Sequence, residues 1–111
     1  MKEEVIICHI HEQSLWAWLA ARKLRSPHIA VTLGCNIHLW NTDKHTFLTD
    51  SSWVKHELCH VLQFRRYGFV RFLCLYLMEN IRKGYRNNKF EKEARMAETG
   101  GISDENLFEF H

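Results

Sequence analysis

The segment His56-Glu57-Leu58-Cys59-His60 sets two imidazoles four residues apart, with a carboxylate beside the first. On a helix, His56 and His60 project from one face, one turn apart. Two imidazole nitrogens placed this way can share one zinc ion at ~2.0–2.1 Å. Glu57 lies on the same side, within reach of a water held by that ion. Zinc brings the pKa of such a water from near 16 toward ~7. A neighbouring carboxylate then takes a proton as the water attacks a carbonyl, and passes it to the leaving amine. Residue types and spacing thus supply peptide-bond hydrolysis in outline.

Chance is a weak rival. Eight histidines and ten glutamates in 111 residues would spell this pattern ~0.05 times at random. The context also favours a site, because the segment lies inside a predicted helix and in register with Trp53 and Phe64. A catalytic zinc keeps three protein ligands and one open position. The third must come from elsewhere in the chain. Glu91, Glu93 and Glu98 lie on a later predicted helix, and periodicity does not choose among them. Glu91 and Glu98 flank one edge of its apolar stripe and Glu93 the other. His9, His11 and His38 are further candidates.

The elements that must position these groups are readable in part. "EVIICHI" is short and β-branched, as in a strand. "QSLWAWLAARKL" places Leu15, Trp16, Leu19, Ala20 and Lys23 at helical spacing and must stop near Pro27. "HIAVTLGCNIHLW" alternates on both sides of Gly34 and Asn36, which predicts a hairpin. "HTFLT", after the polar "NTDK" turn, is expected to add a strand. Asp50, Ser51 or Ser52 can cap a helix through "WVKHELCHVLQFRRY", closed by Gly68. "FVRFLCLYLMENIRKG" is apolar on nearly every side, so a buried or packing helix ending at Gly84 is predicted. "YRNN" reads as a loop. "KFEKEARMAE" predicts a last helix with Phe90, Ala94 and Ala97 as its stripe, closed by Gly100 and Gly101. The four tryptophans are expected in the core.

The predicted fold is α+β, a short mixed sheet packed on helices within one domain, residues 1–111. A net charge of +2 gives no case for nucleic acid. The longest apolar stretch falls short of the ~20 residues that span a bilayer, and Arg71 interrupts it. Cys8, Cys35, Cys59 and Cys74 form no CxxC pair, which argues against a cysteine zinc knuckle. The opening "MKEEVIICHIHEQ" lacks signal-peptide character. Reduced, mostly buried cysteines and a cytoplasmic location are the expectation.

"TLGCNIHLW", "HELCHVLQF" and "GYRNNKFEKEA" together resemble the gluzincin clan of zinc metallopeptidases, over most of residues 28–98. In particular the chain resembles the minigluzincins, small soluble proteins with little beyond a gluzincin catalytic core. The resemblance implies a zincin-like arrangement, with His56, His60 and Glu91 as zinc ligands and Glu57 as general base and acid. Glu91 is implied because Ala94 completes a Glu-x-x-Ala pattern. Many relatives carry an aspartate after that alanine to orient a histidine ligand, whereas this chain has Arg95. A peptide or unfolded protein is the implied substrate.

Other roles follow less directly. The tetrahedral oxyanion of peptide hydrolysis needs a donor besides the metal. Tyr85 is the candidate, with His9 and His11 behind it, and a packing role at a helix end is the alternative for Tyr85. Gln63 either hydrogen-bonds nearby backbone or faces solvent. "NIHLW" is expected as an edge strand that an extended peptide can join, unless it lies inside the sheet. Residues 69–78 offer a face for a homodimer. The tail 102–111, with Leu107, Phe108, Phe110 and His111, closes the core, is disordered, or lies in or across the cleft of the same chain or of a neighbour and holds the enzyme latent, as minigluzincins resemble zymogens in having a blocked cleft. The rival function is a non-catalytic zinc-binding scaffold or interaction module.

Overall fold

A computed structural model describes residues 5–26, 28–100 and 108–111. Strand β1 (Ile6–His11) alternates buried Ile6 and Cys8 with exposed Ile7 and His9. Helix α1 (Leu15–Leu24) then leads into β2 (Ile29–Leu33) and β3 (Asn36–Trp40). The predicted hairpin is present: β2 and β3 pair antiparallel around Gly34 and Cys35, with Leu33 opposite Asn36. Strand β1 runs parallel to β3, with Ile10 opposite Ile37. On its other side β1 pairs in parallel with β4 (Phe108–Phe110), Ile6 opposite Phe108. The order β2-β3-β1-β4 makes a mixed four-stranded sheet, so the α+β expectation holds.

Two expectations about strands are corrected. "NIHLW" is β3, an interior strand, and the edge strand on that side is β2. "HTFLT" falls within helix α2 (Lys44–Thr49), whose Asp43 cap accepts from the Thr46 N–H at 2.7 Å. The polar turn read before it is that cap. One helical turn suffices to seat Phe47, which is fully buried.

Helix α3 (Ser51–Tyr67) starts at Asp50, whose carboxylate accepts from the Trp53 N–H at 3.1 Å. Its inner face packs Val54, Leu58 and Val61 on Cys8, Ile37 and Leu39 of the sheet. Helix α4 (Phe69–Asn87) follows directly after Gly68 and breaks at Gly84, at φ 79° and ψ 166°. That conformation is open almost only to glycine. The predicted "YRNN" loop is therefore corrected to a helical turn, Tyr85–Asn87, ending at Asn88. Helix α5 (Lys89–Gly100) returns across α3. Phe64, Phe72 and Phe90 lock α3, α4 and α5 together.

The apolar faces of α1 and α4 depart from expectation. Helix α1 buries Ala17 and Ala21, while Leu15, Trp16 and Leu19 of the predicted stripe are 64%, 59% and 46% exposed. Alanines let the helix lie close over β2 and β3, and the bulky side chains turn outward. Trp16 is thus not a core residue, and Trp18, Trp40 and Trp53 are partly buried. Helix α4 fully buries only Phe72, and Val70, Leu77, Met78 and Ile81 stay exposed. The tail residues Phe108 and Phe110 pack on the sheet core. Residues 108–110 therefore extend the sheet next to β1 instead of crossing a cleft, and 102–107 lie outside the described residues. No helix among the described residues is long and apolar enough to cross a membrane.

Candidate metal centre

His56, Glu57 and His60 sit at the middle of α3, where the helix is most enclosed. The imidazoles lie 5.1 Å apart between centroids. Glu91 enters from the first turn of α5. Its Oε1 is 3.0 Å from Nε2 of His56 and 3.1 Å from Nε2 of His60. The three side chains each offer one ligand atom within 4.8 Å of the others, the one group among the described residues that could hold a metal ion in this way.

Asn88 delivers Glu91 to this point. Its side-chain oxygen accepts from the Phe90 N–H at 2.9 Å and caps α5. Its amide nitrogen donates to the Tyr76 carbonyl at 3.2 Å and to Asn80 Oδ1 at 2.8 Å. Fully buried Asn88 therefore ties the start of α5 to α4. The signal was present, because Asn followed three residues later by Glu marks a helix start.

The far nitrogens of both histidines are also held. Nδ1 of His60 donates to Gln63 Oε1 at 2.8 Å, and Nδ1 of His56 to Glu98 Oε2 at 2.7 Å. Each Nε2 donates to Glu91 here, and with Nδ1 keeping its own proton, Nε2 is the nitrogen that can release one and turn a lone pair toward an ion. Gln63 also donates to Glu93 at 2.9 Å and to the Phe90 carbonyl at 3.1 Å. Glu93 and Glu98, two of the candidate third ligands, thus occupy supporting positions. Gln63 does hydrogen-bond backbone as expected, and its contact with His60 was not foreseen. Arg95 turns away and donates to the Arg86 carbonyl.

Tyr76, not singled out in the sequence, donates to the second oxygen of Glu91. Thr32 of β2 donates to Glu57 Oε1 at 2.8 Å. Its only trace in the sequence is a polar residue in an otherwise apolar strand. His9, His11 and His38 are on the sheet, away from this group. His11 pairs with Asn36 and His38 with Ser14.

A cleft of about 480 Å³ opens over the site. Leu24 of α1, Ile29 and Val31 of β2, and Leu77 of α4 form its walls, and His56, Glu57, His60 and Glu91 its floor. Tyr85 lines the same cleft, as its candidate role requires. Burial, then Glu91 and Glu57, push the Tyr85 phenol up, so it stays a neutral donor. Burial raises Tyr76 likewise, reinforced by Glu91.

The acids and histidines form one coupled group. Burial pushes the Glu57 carboxyl above its usual range, and His60 and His56 oppose it. Burial works against ionised Glu91 too, but hydrogen bonds from His56 and His60 prevail and hold it well below the carboxylate range. For His56, burial is outweighed by Glu91, Glu57 and Glu98, which lift it to about 9. This clustering of negative charge around two imidazoles is what a cation would find there. No family model, curated protein or solved structure matches the chain.

Proposed function

We propose that the protein is a zinc-dependent peptide-bond hydrolase of gluzincin type, built on a minimal catalytic domain. The observation that carries this reading is the convergence of three donors from two helices. Nε2 of His56, Nε2 of His60 and Oε1 of Glu91 meet at the floor of an open cleft, with Glu57 beside them. Two imidazoles and a carboxylate are a catalytic zinc donor set, one position short of a closed site. Bonds of ~2.0–2.1 Å in a tetrahedron set neighbouring ligand atoms roughly 3.3 Å apart. The Glu91–histidine distances of 3.0 and 3.1 Å need to open by only a few tenths of an ångström.

A bound zinc supplies Lewis acidity, polarising a carbonyl and lowering the pKa of water. Glu57 takes the proton from the attacking water and returns it to the leaving amine. Thr32 fixes one Glu57 oxygen, which leaves the other for this transfer. Tyr76 donates to the second oxygen of Glu91 and orients it. Tyr85, a neutral phenol in the cleft, donates to the developing oxyanion. Strand β2 is the edge beside the cleft, where an extended peptide adds by main-chain hydrogen bonds.

Metal analysis of protein purified without added zinc, together with a peptide-cleavage assay, tests the proposal. One zinc per chain and cleavage lost in Glu57→Ala are expected. Zinc at full occupancy without cleavage of any peptide in a diverse library would leave a non-catalytic zinc scaffold instead.

A further inference from the structure

The two helices flanking the cleft carry an unusual combination of exposed groups. On α1, Trp16, Ala20 and Leu24 stand at i, i+4 and i+8, a single stripe. Ala20 and Leu24 line the cleft and Trp16 continues the stripe beyond it. Across the cleft, Leu77 lines the opposite wall, and Val70, Cys74, Leu77 and Ile81 repeat at helical spacing along α4. Val70 is 72% exposed and Ile81 85%. Both apolar stripes therefore border one opening.

Charge is sorted on the same helices. Arg22, Lys23 and Arg25, at the end and cap of α1, are all exposed. Arg71, Arg82, Lys83 and Arg86 of α4 are exposed as well. These two helices hold seven of the chain's 15 lysines and arginines, and only one of its 13 acidic residues. That residue, Glu79, has a side chain only 13% exposed and lies 3.9 Å from Lys83. Lys23 lines the cleft itself, and the other six cations are exposed elsewhere on α1 and α4. The apolar rim of the cleft thus sits on the two helices that carry the cationic excess of a chain close to neutral as a whole.

We infer that this rim docks on an anionic lipid surface, with the cleft opening toward the bilayer. Tryptophan and aliphatic side chains enter the interfacial layer while lysine and arginine meet acidic headgroups. The pattern is that of a helix face lying on a membrane, not of one crossing it. A second copy of the chain is a poorer occupant, because it would bring the same two cation-rich helices against these. Nucleic acid would leave Val70, Leu77, Met78 and Ile81 without apolar partners. The inference does not depend on hydrolysis. If it holds together with the proposed activity, the substrates are polypeptide segments at a membrane surface.

Flotation of the full chain with vesicles tests it. Vesicles of phosphatidylcholine with about a third phosphatidylglycerol should carry the protein, and pure phosphatidylcholine vesicles should not. Raising salt from 0.1 to ~1 M shortens the screening length from ~10 to ~3 Å and should weaken binding at least tenfold. Ile81→Glu, at a position open enough to leave folding intact, should weaken it by a similar factor. Met96→Glu, at a position that is also widely exposed but on α5, should bind as the parent does. Absence of binding to anionic vesicles overturns the inference. Equal loss in both variants overturns the assignment to this rim. Self-association that Ile81→Glu abolishes, without lipid binding, makes a second copy the occupant.

Discussion

Gln63 accepts a hydrogen bond from Nδ1 of His60 at 2.8 Å while its own amide nitrogen donates to Glu93 at 2.9 Å. One residue therefore fixes the tautomer of a candidate metal ligand and ties α3 to α5. Leucine at this position is apolar and makes neither hydrogen bond. Removing such a partner typically costs ~10–100-fold in metal affinity. Gln63→Leu should lower zinc affinity within that range, measured by competition with a chelating dye. Gln63→Glu keeps an acceptor for Nδ1 and should retain tighter binding than Gln63→Leu.

Glu91 and Glu93 are separated by function as well as by place. Glu91 Oε1 touches both Nε2 atoms, and Glu93 reaches Gln63 and, at 3.8 Å, the Cys59 thiol. Glu91→Ala should reduce zinc binding far more than Glu93→Ala, by at least tenfold in dissociation constant. Equal losses would mean that either carboxylate can serve. A structure of the zinc-loaded protein with Glu93 within ~2.2 Å of the ion would reverse the two roles.

The legible part of the site was the part confined to one helix. His56, Glu57 and His60 are related by the helical period alone, and the cap at Asp50 was visible three residues before the first buried turn. Glu91 was named only through a resemblance, because its meeting with the histidines is made by α5 packing on α3. Tyr76 and Thr32 are long-range partners of the same kind, and no spacing rule points to them, whereas Asn88 carried a helix-start signal and Glu98 was among the candidate ligands, with only its supporting role left to the fold. The error on α1 has a different origin. Hydropathy favours Leu15 and Trp16 for the core, but contact with a sheet rewards a small side chain, and Ala17 and Ala21 take that place. In "HTFLT", β-propensity lost to the aspartate cap one residue upstream of Lys44.

The thiols should differ sharply in reactivity. Burial pushes Cys8 up to about 12, with a further rise from Cys35 and an opposing pull from Arg65. Burial and Glu93 raise Cys59 to about 12 also. Thiolate is the reacting species, so each unit above the ordinary value cuts its fraction about tenfold at pH 8. Cys74 is exposed on α4. With iodoacetamide at pH 8, Cys74 should label first, and Cys8 and Cys59 only after denaturant is added. Peptide mapping by mass spectrometry reads the order. Labelling of Cys8 in the native protein would mean that the sheet edge formed by β4 opens.

Gly84 ends the regular run of α4 and lets Tyr85 and Glu91 come back over the cleft. At φ 79° and ψ 166° a side chain is disfavoured by its own backbone. A Cβ there would meet nothing within 4 Å, so the cost of substitution is conformational and not a clash. Gly84→Ala should destabilise the fold by ~1–3 kcal/mol. At this chain length each kcal/mol lowers the melting temperature by roughly 4 °C. Gly100 is the contrast, since it lies at the end of α5 without a left-handed backbone and also faces open space. Gly100→Ala should leave stability unchanged or raise it by up to ~1 kcal/mol. Thermal melts of both variants, with and without zinc, check the pair. If the kink also sets the approach of α5, Gly84→Ala should lose part of the stabilisation that zinc confers, and Gly100→Ala should keep all of it. Equal melting temperatures for the two variants would show that α4 and α5 can be joined without the glycine conformation.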